Sequence, residues 1–146
     1  MKSPLYSKLL VTLQFTIIGL MVLFSNGLIS SFFTLSVFTL GGIIGIVALS
    51  CNKIGNFNIQ PELKEDCKLI TSGIYGYIRH PMYTSVILMM FGVLLSSVTF
   101  LEFGLFFGLI ITLFLKASRE EKLWINHHIE YQNYKDKTKL FIPFVL

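Results

Sequence analysis

Between Leu9 and Asn52 the chain holds no Asp, Glu, Lys, Arg or His. A second stretch, Pro81 to Leu115, carries a single charge, Glu102. Charged residues are 14% of the 146 positions and hydrophobic residues 53%, with a mean hydropathy of +0.70. That balance excludes an ordinary soluble domain. The two cysteines, Cys51 and Cys67, are expected on one cytoplasmic side, where thiols stay reduced, so no structural disulfide is predicted. Histidine is almost as scarce. Adjacent His127 and His128 would point about 100 degrees apart on a helix, and no Cys or carboxylate stands at zinc-motif spacing, so no metal site is expected. A nucleophile elbow, a paired-Cys motif and a Ser-His-Asp order are also missing.

What is present is apolar chain in span-sized pieces. A crossing helix needs roughly 20 apolar residues. The first stretch therefore holds two helices, about 5–24 and 28–51, broken at Ser25-Asn26-Gly27. The second holds two shorter ones, about 82–97 and 100–115, broken near Ser96-Ser97-Val98-Thr99. Four spans place all 12 Lys and Arg on one side: Lys2 and Lys8 before the first, Lys53, Lys64, Lys68 and Arg79 between the second and third, and six after the fourth. Basic residues gather in cytoplasmic loops, so both termini and a loop over 52–80 are expected to face the cytoplasm. The net charge of +4 then reads as membrane orientation and calls for no nucleic-acid partner. No A-x-A-like cleavage site follows Phe24, so the first helix reads as a retained span.

The predicted fold is a single domain, 1–146: an all-α integral membrane bundle of about four transmembrane helices, with a C-terminal amphipathic cytoplasmic helix in the tail 116–146. Trp124, Tyr131 and Tyr134 give that tail its apolar side. Gly41 with Gly45, and Gly104 with Gly108, make GxxxG pairs that read as close helix packing. Gly41-Gly42-Ile43-Ile44-Gly45 lies within a span and lacks the strand and polar helix start of a phosphate loop.

Two polar clusters remain at the predicted cytoplasmic boundary. Arg79-His80 precedes Pro81, which suits the first turn of a helix, and His80 and Tyr83 share a helical face. Glu120-Glu121 follows two spans later, and a two-span hairpin returns to the same interface. Alone, the first cluster is a snorkelling arginine beside a histidine, and the second a solvated acidic pair beside Arg119 and Lys122.

Read together over Leu69 to Val145, the clusters resemble the isoprenylcysteine carboxyl methyltransferase family, relatives of the membrane phospholipid methyltransferases. The first motif is Leu69-Ile-Thr-Ser-Gly-Ile-Tyr75, three residues, then Arg79-His80-Pro81-Met82-Tyr83. The second is Lys116, Glu120-Glu121 and Leu123, followed by Tyr131-x-x-Tyr134 and Ile142-Pro143-Phe144. The resemblance implies S-adenosylmethionine as cofactor, with contacts from Leu69, Ile70, Tyr75, His80, Pro81, Met82, Tyr83 and Glu120. Chemically, a carboxylate such as Glu120 accepts from ribose hydroxyls or an amino group, and Tyr75 and Tyr83 offer aromatic faces to adenine or the cationic sulfonium.

The resemblance also implies an acceptor with a lipid-like tail in the bilayer, most similar to a prenylated cysteine carboxylate. Lys116, where that family has an arginine, and Arg79 would bind it. A carboxylate needs only a cation to place it, whereas an ammonium must lose a proton, a task open to Glu121. Lys116 and Glu121 are thus the expected catalytic residues. Phospholipid amine methylation, NADPH-dependent membrane reduction and a non-catalytic scaffold are the alternatives, and the sequence leaves the oligomeric state open.

Overall fold

A computed structural model describes residues 4–25, 31–52, 69–128 and 130–143. Five α-helices and one short 3-10 turn make up these segments: α1 Pro4–Phe24, α2 Phe32–Cys51, the turn Gly73–Gly76, α3 Pro81–Ser96, α4 Phe100–His127 and α5 Tyr131–Lys137. The predicted break at Asn26-Gly27, most of the predicted loop, Lys2, Lys53, Lys64, Cys67, Lys68 and the terminal Phe144 and Val145 lie outside the described residues.

Three helices, Leu5–Phe24, Phe32–Cys51 and Phe100–Asn126, are long and apolar enough to cross a membrane, and the protein is an integral membrane protein. The expected third span, α3, has 16 residues, or about 24 Å of helix. That falls short of a hydrocarbon core of roughly 30 Å. The helix of the last expected span does not stop at Leu115. Helix α4 runs unbroken for 28 residues to His127, because Lys116 to Asn126 contains good helix formers and neither Gly nor Pro. The tail helix shrinks accordingly to the seven residues of α5.

Helix α1 packs mainly on α4, and α2 mainly on α3, with α3 and α4 joining the two pairs. Ser7, Leu10, Gln14, Ile17 and Met21 are all buried, and their alternating spacing of three and four forms one seam along α1. Ile17 and Met21 meet Met90, Val93, Leu94, Phe106, Leu109 and Leu113 in the core. On α2 the buried residues are Thr34, Gly41 and Ala48, one position every seven. Its remaining large apolar side chains, including Phe32, Phe33, Ile43 and Ile46, are exposed and suited to lipid.

Two helices approach closely in lipid where small residues let their backbones meet. A Cβ on Gly41 would lie 2.7 Å from the backbone nitrogen of Met89, and one on Gly45 would lie 2.6 Å from Ser85 Oγ. Ser85 Oγ donates to the Gly41 carbonyl at 2.7 Å across this contact. The second GxxxG pair does not act this way. A Cβ on Gly104 would meet nothing within 4 Å, and one on Gly108 would make an ordinary contact with Ile17 at 3.6 Å.

At one end of the bundle Ser97-Val98-Thr99 turns α3 into α4, and the Thr99 side chain accepts from the Glu102 amide as helix cap. At the other end the chain is folded more elaborately. There the start of α3, the last turns of α4, the turn Gly73–Gly76, α5 and residues 138–141 converge.

Candidate active site at the helix ends

The approach to α3 is set by backbone. Gly73 adopts φ of +63°, a left-handed conformation that favours glycine, and opens the turn Gly73–Gly76. A Cβ there would also strike Cys51 Sγ at 2.7 Å. The chain then runs beside the tail, with a parallel bridge pairing Ile78 and Lys139. Arg79 and His80 donate their amides to the carbonyls of Lys139 and Leu140 at 2.8 and 3.1 Å, and Lys139 donates to Tyr77 at 3.0 Å. Pro81 occupies the first turn of α3, as its missing N–H allows. His80 is the N-cap residue but leaves the capping to its backbone carbonyl, which accepts from Tyr83 and Thr84. Its imidazole is therefore available to the site.

Helix α4 supplies the acidic half. Glu120 Oε1 accepts the phenolic hydrogen of Tyr83. Glu120 Oε2 lies 3.4 Å from His80 Nδ1, and Glu121 Oε1 lies 3.8 Å from His80 Nε2. The His80 and Tyr83 rings stack with centroids 5.3 Å apart and planes within 4°. Phe141 packs edge-on against His80, bringing the tail over the same pair of rings. Burial alone lowers the His80 pKa, but hydrogen bonding and charge from Glu120 and Glu121 outweigh it, so the imidazole holds its proton above the ordinary histidine range.

Adjacent Glu120 and Glu121 face different partners. Glu121 accepts from Arg79 Nε at 2.5 Å and from Lys135 Nζ at 2.9 Å, and its side chain is 8% exposed. Arg79 Nη1 also donates to the Thr138 carbonyl and, at 3.1 Å, to that of Lys135. One guanidinium thus joins the start of α3, the end of α4 and the tail, which a planar fork of donors can do and a point charge cannot. Glu120 has the more open carboxylate, with 19% of its side chain exposed.

Aromatic residues fasten the tail. Trp124 stacks on buried Tyr131 at 5.9 Å, Tyr131 meets Tyr134 at 5.7 Å, and the Tyr134 hydroxyl donates to the Tyr75 carbonyl at 2.6 Å. Burial, reinforced by nearby Cys51 and Glu120, pushes the Tyr75 phenol up to about 12, so it remains a neutral donor. Burial likewise raises Tyr131 and Tyr134.

The structure thus brings Arg79, His80, Pro81, Tyr83, Glu120 and Glu121 together, with Tyr75 bound to the tail at their edge. Leu69 and Ile70 are half-buried on the segment entering the turn, and Met82 is half-buried on the first turn of α3. Lys116 lies one turn before Glu120 on α4, with its Nζ 5.1 Å from the centre of the Tyr83 ring. Sequence reasoning missed three participants. Gln14, Thr138 and Phe141 are single residues without a local motif, and only their contacts give them meaning.

A zwitterionic nucleoside-type cofactor needs an acceptor for its hydroxyls or ammonium and a donor for its carboxylate. Glu120 can supply the first. For the second, His80 Nε2 is buried and has no hydrogen-bond partner, so the residues fit such a group.

The chain is 26% identical over 145 residues to methanethiol S-methyltransferase of Crocosphaera subtropica (strain ATCC 51142 / BH68), an alignment covering 94% of this chain and 56% of that protein. The chain therefore spans little more than half the length of that relative. The family profile of phospholipid methyltransferase matches residues 16–131, from the middle of α1 to the start of α5. With most of its length matched, including His80, Tyr83, Lys116, Glu120 and Glu121, the chain belongs to the phospholipid methyltransferase family.

Proposed function

We propose that this protein transfers a methyl group from S-adenosylmethionine to a membrane-embedded acceptor, with a prenylated cysteine carboxylate as the leading candidate. The observation carrying this reading is the junction of His80, Tyr83 and Glu120, where a buried imidazole nitrogen that makes no hydrogen bond stands beside a partly open carboxylate. The cofactor supplies an electrophilic methyl group on a cationic sulfur. Glu120 accepts from its hydroxyls or ammonium, and protonated His80 meets its carboxylate. Leu69, Ile70, Tyr75, Pro81 and Met82 shape the surrounding wall.

Holding donor and acceptor in line supplies much of the acceleration in a displacement of this kind. The acceptor's tail stays among the apolar helices while its head rises to the polar end of the bundle. Lys116 supplies the positive charge that places an anionic head. The saturated ion pairs of Glu121 with Arg79 and Lys135 weigh against its use as a proton acceptor, and so against an amine substrate. In this reading Arg79 and Glu121 hold the site together and make no direct contact with the acceptor. A thiolate is the second reading, favoured by the name of the aligned relative, and it too is an anion. The gathering of basic residues in the sequence before, between and after the apolar runs supports a site and termini on the cytoplasmic side.

Calorimetric titration of S-adenosylmethionine into detergent-purified protein tests the reading. Saturable binding that disappears in His80→Ala and Glu120→Ala, both shown to be folded, is the expected result. A folded wild type that binds NADPH and ignores S-adenosylmethionine sinks it. Methylation of phosphatidylethanolamine but not of a prenylcysteine carboxylate or a thiol would overturn the acceptor assignment.

A further inference from the structure

Helix α1 carries none of the sequence motifs, yet it reaches the site through one side chain. Gln14 sits in the buried seam of α1 and is 6% exposed, and Lys116 on α4 is 1% exposed. Lys116 Nζ donates to Gln14 Oε1 at 2.5 Å, across 102 residues of sequence. The same ammonium lies over the face of Tyr83, which in turn bonds Glu120. Among the described residues Lys116 makes no ion pair.

A buried ammonium without a direct ion pair is costly inside a membrane protein, and such groups are normally paired. The partner chosen here is a neutral amide. A glutamine carbonyl can fix the direction of the ammonium without cancelling its charge, whereas a glutamate at the same position would cancel it. The Tyr83 face does the same from another side, attracting the cation through its quadrupole and adding no net charge. Two neutral contacts therefore hold the ammonium against the Tyr83 ring without a direct ion pair, with the Glu120 charge acting on it from one turn along α4.

We propose that Gln14 is a specificity-determining residue: it presents Lys116 as a receptor for an anionic acceptor head and thereby selects anions over neutral or cationic heads. This rests on the methyltransferase reading only for the identity of the ligand's reaction. The charge selectivity itself is a property of the Gln14–Lys116 pair. It also gives the first helix a chemical role besides packing.

The test uses N-acetyl-S-farnesylcysteine and its carboxamide, two probes that share a tail and differ in head charge. Both are titrated into the full chain in detergent without methyl donor, so the result is independent of whether S-adenosylmethionine binds. Wild type is expected to bind the carboxylate at least about tenfold more tightly than the carboxamide, as a desolvated charge pair gives. Gln14→Glu supplies an internal counter-ion and is expected to erase that preference while leaving carboxamide affinity within about twofold. Lys116→Met, which removes the charge at similar length, is expected to erase the preference as well and serves if Gln14→Glu does not fold. A wild type without the preference, or a folded Gln14→Glu that retains it, overturns the inference. A separate titration with S-adenosylmethionine reports on the methyltransferase reading, so the two can fail independently.

Discussion

Tyr83 on the first turn of α3 donates its hydroxyl to Glu120 near the end of α4, and this bond joins two helix ends 37 residues apart in sequence. The same tyrosine presents one face to His80 and lies 5.1 Å from the Lys116 ammonium. A single side chain thus links the carboxylate, the imidazole and the buried cation. Tyr83→Phe keeps the ring and deletes the hydroxyl. It is expected to lower stability by about 1.5–3 kcal/mol, the range for a hydrogen bond to a charged group. Thermal unfolding in detergent measures the loss, and S-adenosylmethionine binding should weaken less than in Glu120→Ala.

Arg79 is expected to matter for holding the tail. Arg79→Ala leaves Glu121 with Lys135 and His80 only and removes a donor from the carbonyls of Lys135 and Thr138. Breaking a buried pair in this way costs about 3–5 kcal/mol. Limited proteolysis should then cut after residue 130 in the variant under conditions that leave the wild type intact. Arg79→Lys restores the charge without the fork and should recover only part of the protection; full recovery would contradict the role given to the guanidinium.

His80 gives the protein a defined pH dependence. Its pKa is raised in the folded state, so the protonated imidazole contributes stability that is fully present below about 6.5, the ordinary value. That contribution is lost as pH rises from there through the folded-state value. Unfolding followed from pH 6 to about pH 9 should show wild type losing stability relative to His80→Gln over this window. Parallel curves for the two proteins would show that His80 does not titrate as described.

The two GxxxG pairs should behave oppositely. Gly41→Ala forces a Cβ to within 2.7 Å of the Met89 backbone and is expected to cost about 1–3 kcal/mol through overpacking. Gly104→Ala enters open space and, as a better helix former, should be neutral or stabilising by up to about 1 kcal/mol. Paired unfolding measurements in detergent decide the matter.

Sequence carried most of the class assignment. Charge-free runs with the length of a span leave little besides apolar helices, because unpaired backbone groups are too costly in hydrocarbon. The two motifs were legible because their residues are contiguous: Arg79-His80-Pro81-Met82-Tyr83 makes one helix start, and Lys116 to Leu123 makes one helical stretch. Helix lengths were less legible. Hydropathy marks where apolar chain stops, whereas the backbone of α4 keeps its hydrogen bonds through Glu120 and Glu121 whatever the polarity of the side chains.

By itself, then, the sequence determined that the chain enters a membrane, that its basic residues gather between and beyond the apolar runs, and which residues are candidates for chemistry. Local pattern suffices for each, since hydropathy and motif spacing are read along the chain. Only the tertiary structure decided that Glu120 faces Tyr83 while Glu121 faces Arg79. It also decided that Gln14 holds Lys116, and that Phe141 covers His80. These choices depend on which faces of separate helices meet. Adjacent positions on a helix diverge by about 100 degrees, so neighbouring glutamates of identical chemistry acquire different partners once α3, α4 and the tail are packed together.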